Sequence, residues 1–169
     1  MVSILGLSVG LVGTLNGCGK KPPPTASTPA FQYTLLDGVQ RHSDGLRGKV
    51  VLVNFWATTC AVCLREMPRF VATHRQFNTR GLETLAVSMR YDPPARVASY
   101  AQAKALPFGV AIDNTGAIEQ AFGGVRGTPT TLLMDREGRV IWRHEGEPDF
   151  DALHVRLESL LGHAGPVTA

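Results

Sequence analysis

Apolar and polar positions follow two different rhythms along this chain, and the switches between them mark its elements. Residues 50–55, Val-Val-Leu-Val-Asn-Phe, form a nearly unbroken apolar run, the pattern of a central strand covered on both faces. Ahead of it, residues 31–36 and 39–41 flank Asp37-Gly38, a step that supplies the positive backbone angles of a tight hairpin turn. After it, a helix opens at Cys60, carries Met67 and Phe70 toward Arg80, and stops at Gly81. Pro68 falls inside this helix, where its ring excludes the bond to the Leu64 carbonyl, so a kink is expected.

The second half repeats the alternation. Residues 82–88 predict a strand, Asp92-Pro93-Pro94 a helix start, and Val97, Tyr100 and Ala103 give helical spacing over residues 96–104. A short buried strand over 108–112 and a short helix over 117–122 follow. Residues 130–134 and 140–143 flank Asp135-Arg136-Glu137-Gly138, a second hairpin. The last helix, 150–161, draws its apolar set from Leu153, Val155, Leu157, Leu160 and Leu161 and ends at Gly162. Strands alternating with helices and closed by a hairpin predict an α/β fold, a thioredoxin-like mixed β-sheet with helices on both faces and an N-terminal β-hairpin.

The N-terminal stretch has a different character. Residues 1–17 carry no charged side chain and lead through Leu15-Asn16-Gly17 into Cys18. This resembles a bacterial lipoprotein signal, with Cys18 as the lipidated mature N-terminus. An uncleaved membrane anchor is the alternative, although the run is short against the ~20 residues that span a bilayer. A helix packed on the domain is a third reading. Residues 18–30 then hold the lipid-attachment cysteine and, over 20–29 with Pro22-Pro23-Pro24, the makings of a polyproline-like tether of roughly 30 Å. The domain proper is expected over 31–162, with 163–169 as a flexible tail.

Composition narrows the function. A chain of 169 residues with 44% hydrophobic and 18% charged residues suits one globular domain. Its net charge of +3 comes without any basic stripe, which argues against nucleic acid as a partner. Only Cys60 and Cys63 lie inside the domain, too few for a disulfide framework. Bridging them closes so short a loop that chain entropy gives under about 2 kcal/mol, so the pair reads as chemistry rather than architecture. A zinc site is not expected, because no second cysteine pair exists and none of the five histidines stands at ligand spacing. His42, His74, His144, His154 and His163 are expected at the surface or in loops, and Tyr91, Asp92 and Phe122 in packing or turns.

At a helix N-terminus, Cys60 meets unpaired N–H groups and the positive end of the helix dipole, both favouring thiolate. Cys63 follows one turn later, within bonding reach. Cys60 is therefore expected as the exposed nucleophile and Cys63 as the buried resolving thiol. Glu66, three residues on, projects from nearly the same helix face.

Four elements in order carry a family resemblance: Lys49-Val50-Val51-Leu52-Val53-Asn54-Phe55-Trp56-Ala57, the Cys60-Ala61-Val62-Cys63 pair, Glu66-Met67-Pro68, and Gly127-Thr128-Pro129-Thr130-Thr131. Over residues 31–162 the chain resembles the TlpA/ResA-like group of membrane-tethered, thioredoxin-fold disulfide oxidoreductases. The resemblance implies that Glu66 is the active-site carboxylate. It further implies that Thr128-Pro129 is a cis peptide against the cysteines, with the Thr128 backbone open to an extended substrate. Thioredoxins proper carry a buried Asp where this chain has Asn54, which leaves proton handling to Glu66. Trp56 either roofs the site, touching substrate, or fills the core. Thr59 and Val62 depart from the pattern, standing where relatives usually have Trp and Pro.

Function follows as expectation. The chain reads as a periplasmic enzyme of protein thiols and disulfides, with no cofactor, re-reduced by a membrane electron donor and serving a process such as cytochrome c maturation. A charged Glu66 at an assumed ~7 Å opposes a Cys60 thiolate by ~2 kcal/mol at an effective dielectric of ~20, which favours a reductant over a strong oxidant. The alternative from another class is a copper-binding chaperone using the two thiolates, which lacks a well-placed third ligand. A peroxidase reading fails for want of a cysteine in the usual Thr-x-x-Cys setting.

Overall fold

The computed structural model describes residues 28–162. Its centre is a five-stranded sheet ordered β5-β4-β3-β6-β7, comprising β3 (Val50–Trp56), β4 (Leu82–Ser88), β5 (Gly109–Ile112), β6 (Thr130–Met134) and β7 (Val140–Glu145). β3, β4 and β5 run parallel, while β6 and β7 are antiparallel additions. The N-terminal hairpin pairs β1 (Gln32–Thr34) with β2 (Gln40–His42). These elements, with α1 (Ala61–Phe77), α2 (Pro94–Ala103), α3 (Ala117–Ala121) and α4 (Phe150–Leu161), reproduce the expected order.

β3 divides the interior by simple alternation, since successive side chains of a strand point to opposite faces. Val50, Leu52 and Trp56 enter one core with Phe70, Phe77, Val97, Phe150, Leu153 and Leu157, so α1, α2 and α4 cover that face. Val51, Val53 and Phe55 enter the other core with Phe31, Tyr33, Ile118 and Phe122, under the hairpin and α3. Every residue of β3 is buried. Asn54 lies between Leu52 and Trp56 in this alternation and is carried toward α1.

Several expectations change in detail. α1 keeps Pro68 in its interior and ends at Phe77, short of the expected Arg80; a short 3-10 turn over Asn78–Arg80 then ends at Gly81, whose φ of 103° is the left-handed stop. Val155 is 71% exposed, because two positions from both Leu153 and Leu157 it falls on the outer side of α4. His74 is buried, not superficial: its Nδ1 lies 3.1 Å from Thr84 Oγ1 and its ring meets Phe108 edge-on. Burial pushes its pKa down. The Thr28 N–H donates to the Gly138 carbonyl at 3.0 Å, so contacts with the domain begin ahead of residue 31. The expected signal or anchor over 1–17, Cys18 and the tail over 163–169 lie outside the described residues. No helix among the described residues is long and apolar enough to cross a membrane.

The α1 to α4 contact closes the first core. Phe150 packs edge-on against Phe70 at 5.1 Å between ring centroids, with the Arg69 guanidinium 4.3 Å from the Phe150 centroid. Replacing a buried aromatic by alanine leaves a cavity costing about 3–5 kcal/mol. Phe150→Ala is therefore expected to lower the unfolding free energy by that amount in denaturant titration, whereas Val155→Ala on the same helix should change it by less than about 0.5 kcal/mol.

Candidate active site

The site sits where β3 hands over to α1. Cys60 is the N-cap of α1, with extended backbone, and its Sγ accepts from the Cys63 N–H at 3.2 Å. Cys60 and Cys63 are joined as a disulfide. Cys60 is partly exposed and Cys63 fully buried, as the helix geometry predicts.

The opposite wall comes from far along the chain. β6 pairs antiparallel with β3, Thr130 facing Phe55 and Thr131 facing Asn54, which brings the loop ahead of β6 to the cysteines. Thr128-Pro129 is a cis peptide. The Thr128 carbonyl oxygen lies 3.6 Å from Cys60 Sγ. Two bonds hold this loop: Thr130 Oγ1 donates to the Gly127 carbonyl at 2.7 Å, and the Gly146 N–H to the Pro129 carbonyl at 2.8 Å. Among the described residues the Thr128 N–H has no hydrogen-bond acceptor.

Glu66 is the unusual group. It is fully buried, on the α1 face that meets Asn54. The Asn54 amide donates to Glu66 Oε1 and to Thr131 Oγ1, each at 3.3 Å. Glu66 Oε2 and Asn54 Oδ1 have no partner among the described residues. An ionised carboxylate wants several donors and here has one, so loss of hydration disfavours the charge. Burial raises the Glu66 pKa to about 7; the Asn54 bond partly offsets this, and the exposed Arg65/Glu147 ion pair adds smaller, opposing contributions. The expectation of a fully charged Glu66 is corrected: near neutrality about half the carboxyls carry a proton.

Of the two readings of Trp56, its burial favours the core. It is completely buried, packed at 5.3 Å on Tyr100 within the α1 face of the core. Helices α1 and α2 cover this end of β3, and the Trp56 ring fills the core. Thr59 is exposed and Val62 half-buried at the start of α1.

Sequence reasoning missed Asp92. This carboxyl is buried, and it accepts from the Thr58 N–H at 2.6 Å, from the Thr58 hydroxyl, and from Ser88 Oγ at 3.0 Å. It thereby ties the loop before Cys60 to the end of β4. The available signal was the parallel pairing of β3 with β4, which sets Trp56 beside Ser88. Among the described residues no group of three or more His, Cys, Asp or Glu side chains gathers to hold a metal, so the copper reading gains no third ligand from them.

A thioredoxin-like sheet carrying a partly exposed and a buried cysteine at one helix N-terminus defines a thiol-disulfide oxidoreductase. The chain belongs to the Redoxin family, whose sequence profile matches residues 23–154. It is similar to the thiol-disulfide oxidoreductase ResA of Geobacillus thermodenitrificans, 35% identical over 135 residues, covering 80% of this chain and 76% of the relative. ResA of Bacillus thuringiensis subsp. konkukian is 32% identical over 132 residues, with 78% and 75% covered. A crystal structure of a thioredoxin-family thiol:disulfide interchange protein from Chlorobium tepidum matches with a TM-score of 0.74 at 26% identity, covering 82% of this chain and 97% of that one.

The raised pKa has a sign that can be tested. The folded protein holds the Glu66 proton up to about pH 7, whereas an unfolded glutamate releases it near ~4.3. Stability from this group is therefore fully present below about pH 4.3 and is lost as pH rises through about 7, by an order of 3 kcal/mol. Oxidised Glu66→Gln should lack this loss. Its stability relative to the unsubstituted protein should grow by about 3 kcal/mol from pH 4 to pH 8 in denaturant titrations, and a constant difference would contradict a raised pKa.

Proposed function

We propose that this chain is an extracytoplasmic reductase of protein disulfides, held at a membrane by lipid on Cys18 and re-reduced by a membrane electron donor. The observation that carries the reductase reading is the buried Glu66, of pKa about 7, on the helix that presents the cysteines. The ResA relatives support the thiol-disulfide chemistry.

The Cys60 thiolate attacks one sulfur of the partner's disulfide, forming a mixed disulfide and releasing the other partner sulfur as thiolate. Cys63, as thiolate, then attacks Cys60 Sγ. That forms the Cys60/Cys63 disulfide and releases the second partner thiolate, so two electrons have passed to the partner. Cys63 must first give up its proton, and Glu66 is the buried group positioned to take it. Compared with an ordinary glutamate near ~4.3, a carboxylate near 7 lowers the cost of taking a thiol proton by about 4 kcal/mol. Burial thus makes Glu66 a usable base. Two electrons and two protons from the membrane donor restore the dithiol.

Direction follows from the reduced state. A strong oxidant needs a reduced form stabilised by an acidified thiolate. Here the helix dipole contributes only ~0.3–1 kcal/mol to the Cys60 thiolate, and a part-ionised Glu66 works against it. The dithiol is therefore a good electron donor. Oxidised cysteine pairs of cytochrome c apoproteins are a fitting client, since haem attachment needs free thiols.

The Cys60/Cys63 couple is expected below about −200 mV, and a value near about −120 mV would contradict the reductase direction. Cys60→Ser should abolish catalysed insulin reduction; retained catalysis would refute the mechanism. Cys18→Ser should move the protein from the membrane to the soluble fraction of its host, and continued membrane association would favour an uncleaved anchor.

A further inference from the structure

Tyr91 is 59% exposed, and it stands at the redox site. Its phenol oxygen lies 3.4 Å from Thr128 Oγ1, and the carbonyl of that same Thr128 is 3.6 Å from Cys60 Sγ. The exposed phenol therefore lies against the same Thr128 whose carbonyl faces Cys60.

A single exposed tyrosine is ordinary on a protein surface. What distinguishes this one is how its turn is held. The Met89 N–H donates to the Trp56 carbonyl at 3.1 Å and the Asp92 N–H to the Met89 carbonyl at 2.9 Å. Buried Asp92 then accepts from Thr58 and Ser88. The turn is thus fastened to the same β3 end and Thr58 loop that set Cys60. An aromatic ring on so fixed a support offers contact area at little entropic cost on binding.

We propose that Tyr91 is a specificity-determining residue of the exchange site, a platform for the side chain next to the reactive cysteine of an extended client segment. The inference rests on the reductase reading above. A segment lying along Thr128, whose N–H is open to pair with it, passes within reach of the ring. The ring selects an apolar or aromatic neighbour. Its negative π-face disfavours a carboxylate laid against it. The phenol bond to Thr128 is secondary, so the ring alone should carry the preference.

The test uses two synthetic peptides, each with one internal disulfide, identical except for leucine or glycine beside the first cysteine. The reduced full-length protein should favour the leucine peptide by about 10-fold in kcat/KM. Tyr91→Ala should bring the ratio close to one through a higher KM for the leucine peptide, and Tyr91→Phe should keep it. The reduction potential of the Cys60/Cys63 couple should be the same in all three proteins. An unchanged ratio in Tyr91→Ala would overturn the inference while leaving the reductase reading intact. A shifted potential would overturn it too, by making Tyr91 a support of the cysteines. If the unsubstituted protein reduces neither peptide, the reductase reading fails and the inference with it.

Discussion

One buried carboxyl sets the terms for the rest of the site. Glu66 has lost its water, holds a single hydrogen bond from Asn54, and keeps Oε2 without a partner. Such a group is stable when neutral and costly when charged. Its pKa near 7 lets the group take or release a proton at neutral pH, which a fully solvated glutamate does poorly, and the proposed reductase reading rests on that property. Folding gives up some stability, progressively from about pH 4.3 to about 7, to keep it there.

The frame that makes this arrangement is the two-face alternation of β3. Leu52 and Trp56 anchor the α1 face in apolar packing, and Asn54, between them, is the polar gap through which Glu66 is met. Asn54 is fixed in turn by Thr131, its neighbour across the β3/β6 pairing. The same pairing delivers Thr128 and Pro129 to Cys60. A third strand contributes through the end of β4, where Asp92 holds the Thr58 loop. Three neighbouring strands therefore converge on one helix N-terminus, each through a different type of contact.

The fold was largely legible because its elements announce themselves locally: an unbroken apolar run for β3, two turn signals for the hairpins, and proline or glycine at helix boundaries. Helix spacing also set the cysteine pair and Glu66 on nearly one face, while the role of Glu66 was implied by the family resemblance. Properties that depend on partners distant in sequence were hidden. Asp92 looked like a helix-start residue until strand pairing set it against Thr58, and Tyr91 looked like a loop residue for the same cause. Trp56 was undecided because alternation predicts which face it takes but not that α2 lies over it with Tyr100. His74 was taken for a surface residue because a histidine on an amphipathic helix does not reveal its Thr84 partner. The charge state of Glu66 depended on burial, which no spacing rule supplies.

The account stands on Glu66 being neutral for about half the molecules at physiological pH. Carbon-13 NMR of the Glu66 side-chain carboxyl, followed through a pH titration of the oxidised protein, measures this without reference to activity or stability. A midpoint close to 7 is the predicted result. A midpoint near the ~4.3 of a solvated glutamate would contradict the account, because Glu66 would then be fully charged beside the cysteines and too weak a base to take the Cys63 proton.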